Sequence, residues 1–303
     1  MPGAGERAPV PLVVSLPLTC QPIPMTEEFV ALYVVPTPLG HRGDISQRAI
    51  EVLQQVSWVA AEDTRHSAPL LRQYGCNARF LAVHQHNEED AAQRVIAHLA
   101  AGESVALVVD AGTPGVSDPG ARLVARVRAA GHRVVPLPGP CAAIVALSAA
   151  GLVGAHFLFY GFLPTKAGQR AEALRQLARL PYVLIFYEAP HRILESIAAL
   201  AAAFGPDRTV VLARELTKLF ESIHSCRLGE AEAWLLGNAD RRRGEFVLLV
   251  SGAEPAAETG EGERVLQLLL DDGLPPSQAT RLAHAITGAG RKALYQLALG
   301  RDR

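Results

Sequence analysis

Several features that commonly announce a function are scarce or absent in this sequence. Only four cysteines occur in 303 residues, Cys20, Cys76, Cys141 and Cys226, and none forms a CxxC pair. That spacing argues against a disulfide framework and fits a reducing, cytoplasmic setting. His84 and His86 form a His-x-His pair. No cysteine or histidine partner follows at a metal-binding spacing, so no metal is expected. The formal net charge is −1, so the chain lacks the broad basic field of many nucleic-acid binders. An RNA partner would have to be met by local patches, and a DNA partner is not expected. No apolar run is long enough to span a bilayer, so no membrane partner is expected. Neither GxGxxG nor GxxxxGK[ST] occurs, which argues against a nicotinamide or nucleoside-triphosphate enzyme.

What is present is an alternation. From residue 30 onward, strand-like apolar runs alternate with amphipathic stretches: ALYVV, WVAA, RFLAV, VALVV and RVVPL, each followed by a helical pattern. This predicts an α/β domain over 30–150 with a mainly parallel sheet. HFLFYGF, YVLIFY, RTVVLAR and EFVLLVS predict a second α/β domain over 151–252. Fewer long helices separate its last strands, so its sheet is expected to be mixed. GAEPAAETGEGE reads as a linker over 253–263, and 264–303 as a small helical tail. Residues 1–29, rich in proline before the periodic pattern begins, are expected to be a disordered extension.

Residues that carry chemistry gather at the strand ends. Five successive runs end in PTPLGHRGD, AEDTRH, HQHNE, DAGTPGVSDPG and PLPGPCAA. Ligands of open parallel sheets sit at the carboxyl ends of the strands. Glycine lets backbone approach a ligand closely, and proline fixes a turn without an N–H. Such loops lack the lysine and the amide nest that cradle polyphosphates. They suit a ligand with a cationic centre, an adenine edge and no phosphates, as in S-adenosylmethionine.

Together with FYGFLPTK, FYEAPHR and ARELTK, these motifs resemble the tetrapyrrole-methylase-like (class III) methyltransferases. They are most similar to the ribosomal RNA small subunit methyltransferase I group, across about residues 30–252 and again in the tail. The resemblance implies a two-domain α/β fold with S-adenosylmethionine in the cleft between domains, and a homodimer. It implies methyl transfer to the 2′-oxygen of a cytidine in 16S ribosomal RNA of the small ribosomal subunit. Pro36, Thr37, Pro38, Leu39 and Gly40 match the family's first cofactor loop. Gly112, Thr113, Pro114, Val116 and Ser117 match the central one, with Asp110 beside the sulfonium or bracing the loop. Asp118 reads slightly better as a loop brace. Cys141 and Ala142 match a third loop, where relatives often carry serine. Tyr187 and Ala213 match positions that line the adenosine pocket.

The hydroxyl must lose its proton, and Glu62, Asp63, His84, Glu88, Glu188 and Glu215 are candidates to take it. Arg65, Lys166, Arg192, Arg214 and Lys218 are candidates to hold RNA phosphates, the alternative for several of them being an ion pair such as Glu188–Arg192 across one helical turn. Arg241, Arg242 and Arg243 read as a solvated turn. Two other functions stay open on the residues alone: a corrin or porphyrin methylase, and a non-catalytic ribosome-binding factor.

Overall fold

The computed structural model describes residues 30–84, 87–154, 156–253 and 258–300. The extension expected over 1–29, and His86 of the His-x-His pair, lie outside them.

The first sheet is wholly parallel. Its strands are β1 (Ala31–Val34), β2 (Trp58–Ala61), β3 (Arg79–Ala82), β4 (Val105–Val108) and β5 (Arg133–Pro136), in the order β3-β2-β4-β1-β5. The continuous apolar run of β4 is buried on both faces, as a central parallel strand must be. Val105 and Leu107 face helices α3 (Glu88–Ala100) and α4 (Ala121–Ala129). Ala106 and Val108 face α1 (Gln47–Gln55) and α2 (Thr64–Gln73). The period of two thus delivers alternate side chains to two separate cores. Between β1 and β4 the chain moves outward to β3 and then returns. The carboxyl ends of β1 and β4 therefore lie side by side at the point where the winding reverses.

The second sheet is mixed. β6 (Phe157–Phe162), β7 (Val183–Glu188), β8 (Thr209–Arg214), β9 (Ser222–Arg227) and β10 (Phe246–Val250) lie in the order β6-β7-β10-β8-β9. Only β6 and β7 pair parallel. α6 (Ala167–Leu177), α7 (Ile193–Phe204) and α8 (Leu228–Leu236) supply the core on one face, around Phe186 and Leu248. The other face is covered by α5 (Ala142–Ala149), through Ala143 and Ala146 against Ile185, Val211 and Leu249. α5 was expected to complete the first domain. Its small side chains let it lie on the second sheet instead, so the loop before it spans both halves.

The tail is three helices, α9 (Glu258–Asp271), α10 (Pro276–Thr287) and α11 (Arg291–Leu299), around Leu266, Ala283 and Leu294. α9 starts inside the stretch expected to be a linker. Glutamates favour a helix N-terminus, and Gly262 lets α9 approach Ala289 where any side chain would collide. Pro276 opens α10 and Gly288, with φ +74°, closes it.

Candidate active site

An open cavity of about 430 Å³ lies between the two sheets, within the range of small-molecule sites. The first half contributes Leu39 and Glu62, then Asp110, Ala111, Gly112 and Thr113, then Val116, Ser117 and Asp118. Cys141 and Ala142 enter from the start of α5. The second half contributes Phe162, Tyr187 to Pro190, Ala213, Leu216, Lys218 and Glu245 to Val247.

The loops after β1 and β4 are locked together. The Thr37 and Gly112 backbones exchange two hydrogen bonds, 2.9 and 3.0 Å, and the buried Thr37 hydroxyl donates to the Val109 carbonyl at 3.0 Å. Thr113 adds a 2.7 Å bond from its hydroxyl to the Pro140 carbonyl, tying in the third loop. Gly112 holds φ at +85°, a conformation that favours glycine. Of the first loop, only Leu39 borders the cavity; Pro36, Thr37, Pro38 and Gly40 stand behind it. A side chain at Gly40 would collide with Lys218, and the His41 N–H donates to the Thr217 hydroxyl at 3.1 Å. The first loop therefore fastens the two halves and does not form most of the wall.

Among the described residues, three non-glycines hold a left-handed backbone: Ser117 (φ 65°), Glu215 (φ 51°) and Thr217 (φ 63°). All three lie in loops that form the cavity rim. Strain of this kind persists where surrounding structure over-determines it, as it often is at functional sites.

Carboxylates concentrate on one wall. Burial, and then the charge of Asp110, push the Glu62 carboxyl up, against a hydrogen bond from the Asp110 N–H. Burial, followed by the charges of Glu62, Asp110 and Glu245, pushes Asp118 up to about 6. The Asp110 Oδ1 atom is buried with no hydrogen-bond partner among the described residues. Such a wall is chemically suited to a cationic or N–H-bearing group. Asp118 and Glu245 contribute to this field; the sequence pattern left Asp118 open between a loop brace, slightly preferred, and a charge beside the sulfonium, and did not mark Glu245. The Tyr187 hydroxyl accepts from the Ala143 N–H at 3.1 Å, at the first turn of α5, and burial raises it above the usual tyrosine range.

The remaining proton-acceptor candidates have other duties. Glu88 lies outside the cavity lining, and its Oε2 accepts from the N–H groups of Gly120, Arg122 and Leu123 at 3.1–3.4 Å. It is the anionic cap of α4. Asp63 caps α2 and is gripped by Arg65, whose side chain and backbone N–H hold its carboxyl down at about 2. Glu188 borders the cavity but is buried and saturated. It accepts from Ser196 at 2.5 Å and from the Ala189 N–H at 2.8 Å, and pairs with Arg192 at 3.4 Å. Glu215 is pushed up by burial, but the Glu245 N–H and Lys218 outweigh that and leave it below the usual range. His84 is exposed at the end of β3, outside the cavity lining.

Three of the five expected RNA-facing cations are committed elsewhere, and a fourth, Arg65, pairs with Asp63 at 2.9 Å. Arg192 donates to the carbonyls of Leu163 and Pro164, and Arg214 to those of Phe220 and Arg243. Arg65 and Lys166 are exposed, while Lys218 bridges Glu215 and Glu245. Arg241 is likewise occupied, lying over the Trp234 ring and bonding its carbonyl.

Residues 31–232 match the family model for tetrapyrrole (corrin/porphyrin) methylases, and 256–302 match that of the RsmI C-terminal HTH domain. A ribosomal RNA small subunit methyltransferase I of Escherichia coli O157:H7 is 51% identical over 269 residues, covering 88% of this chain and 94% of its own. The chain belongs to the tetrapyrrole methylase family, in its ribosomal RNA small subunit methyltransferase I group. A group member from Pseudomonas aeruginosa is 50% identical over 275 residues, covering 89% and 97%. The fold of this family is visible in distant solved structures. The methyltransferase CobJ superimposes with a TM-score of 0.58 at 22% identity, covering 74% of this chain and 95% of that one. A Thermus thermophilus uroporphyrin-III C-methyltransferase, solved with S-adenosylhomocysteine, gives 0.52 at 18%, covering 73% and 97%.

Proposed function

We propose that the chain transfers a methyl group from S-adenosylmethionine to the 2′-oxygen of a cytidine in 16S ribosomal RNA, acting on the small ribosomal subunit in the cytoplasm as a homodimer. The observation that carries the reading is the cavity between the sheets, in a chain about half identical to ribosomal RNA methyltransferases over nearly its whole described length. Identity to a solved uroporphyrin-III C-methyltransferase is far lower, at 21%, which favours RNA over a corrin or porphyrin. A binding-only ribosome factor has no use for a cavity of this kind.

The residues present fit the donor. Asp110 offers an unpartnered carboxylate oxygen, Glu62 and Asp118 form an anionic wall, and Gly112, Ala142 and Ala213 leave room for a close-fitting ligand. When bound, S-adenosylmethionine supplies a methyl group already activated on a sulfonium. The chain's part is to align the acceptor oxygen and exclude water. Tyr187 fixes the start of α5 and with it Cys141 and Ala142, and we assign receipt of the hydroxyl proton to Glu62 or Asp118, the cavity-lining carboxyls that burial raises. Exposed Arg65 and Lys166, together with Arg281, Arg291 and Lys292 of the tail, offer phosphate contacts.

The test is label transfer. Small subunits lacking the modification are incubated with the protein and methyl-labelled S-adenosylmethionine, beside a porphyrin precursor as competing acceptor. Label in 2′-O-methylcytidine of 16S RNA is expected; label in the tetrapyrrole alone would reverse the assignment.

A further inference from the structure

The loop between β8 and β9 holds two large apolar side chains in water. Leu219 is 89% exposed and Phe220 67%. Such exposure on a slack loop would be unremarkable, but this loop is heavily pinned. The Arg214 guanidinium donates to the Phe220 carbonyl at 2.9 Å. The Glu221 carboxylate accepts from the Thr217 N–H at 2.6 Å, and the Glu221 N–H donates to the Lys218 carbonyl at 3.1 Å. Glu215 and Thr217 both hold positive φ, and a β-branched residue is a clear outlier there. Strain and hydrogen bonds are thus spent on a conformation whose visible product is an apolar tip facing solvent.

The position of that tip narrows its use. Leu216 and Lys218, immediately before it, border the cavity, and Thr217 reaches across to His41 of the first half. Phe162 is also half-exposed on the cavity wall. Two side chains alone cover far less than the roughly 800 Å² that each partner gives to a subunit interface. They match the faces of one or two nucleobases. A 2′-hydroxyl can reach into the cleft between the sheets only if its nucleotide leaves the stack, and an apolar or aromatic surface offsets the lost stacking.

We propose that Leu219 and Phe220 form a rigid platform at the cavity mouth that stacks against an unpaired base of the RNA substrate, beside the nucleotide being methylated. This rests on the reading of the substrate as RNA. Arg214 acts through the platform as a positioning residue and makes no phosphate contact of its own.

The test uses the full chain with small subunits lacking the methyl group. Base-aromatic stacking lost on alanine substitution weakens binding by roughly 5-fold to 100-fold. Phe220→Ala is expected to raise KM for the subunit in that range, and Leu219→Ala to raise it less. Phe220→Trp should restore it, and affinity for S-adenosylhomocysteine should stay within about twofold in all three, which also reports a folded site. A subunit KM for Phe220→Ala equal to that of the unsubstituted chain overturns the proposal. So does a drop in molar mass by light scattering, which would assign the tip to a second copy of the chain. If the unsubstituted chain itself leaves ribosomal RNA unlabelled, the substrate reading fails; if it labels RNA and Phe220→Ala does so equally well, only the platform fails.

Discussion

Thr37 and Gly112 are joined backbone to backbone by a reciprocal pair of hydrogen bonds, 2.9 and 3.0 Å, across the ends of β1 and β4. The bridge turns two strand-end loops into one floor beneath the cavity. The Thr37 hydroxyl, fully buried, completes it by donating to Val109. Thr37→Val keeps the shape and removes that donor. A loss of about 1–2 kcal/mol is expected in urea unfolding, with weaker S-adenosylhomocysteine binding. Unchanged stability would show that the hydroxyl bond contributes nothing net.

Asp118 gives a pH dependence of defined sign. Its carboxyl is raised to about 6 in the folded chain, from an ordinary value of 3.8. Between those values the folded state holds the extra proton, so this group's contribution lowers stability as pH rises from about 4 to 6. Asp118→Asn should therefore raise Tm at pH 7 and leave it unchanged below about pH 4. A cation bound beside the wall favours the ionised form. Affinity for S-adenosylmethionine should climb through pH 6 more steeply than affinity for S-adenosylhomocysteine, which lacks the sulfonium. Parallel curves for the two ligands would place the sulfonium away from this wall.

Glu88 should behave as a cap and have no part in proton transfer. Glu88→Ala strands three N–H groups at the start of α4. A stability loss of about 2–3 kcal/mol is expected, while the pH profile of kcat, taken well below Tm, keeps its shape. A lost basic limb in that profile would return Glu88 to the chemistry.

Arg192 separates bracing from RNA contact. Arg192→Gln leaves the buried Glu188 carboxylate short of its cation and frees the Leu163 and Pro164 carbonyls. Removing one member of a buried pair costs about 3–5 kcal/mol, so a lower Tm is expected. The dependence of subunit binding on salt should not change, because no phosphate contact is lost. A shallower salt slope at unchanged Tm would make Arg192 an RNA ligand.

The sequence made the α/β alternation legible because apolar runs such as VALVV are strong local signals, and the strand-end loops because their turns are local too. The mixed second sheet was foreseen from its sparse helices. What could not be read depends on partners distant in sequence. Glu88 and Arg192 look like active-site charges until the N–H groups of 120–123 and the carbonyls of 163–164 are seen to occupy them. Glu62 and Asp118 are separated by most of two strand-helix units, so no spacing rule pairs them. The start of α9 was missed because glycine and glutamate in TGEGE resemble a linker, whereas Gly262 is there for a close helix contact. Placing α5 on the second sheet required knowing that sheet's uncovered face.

The central structural claim is that the cavity between the sheets holds the methyl donor. Ala142 tests it, because its partly buried side chain borders the cavity at the first turn of α5. Calorimetric titration of S-adenosylhomocysteine into the unsubstituted chain and into Ala142→Leu is the most direct measurement. One site per chain is expected in the former, and at least a tenfold loss of affinity in the latter at unchanged Tm of the ligand-free protein. Equal affinity in the two would contradict that claim and move the donor site elsewhere.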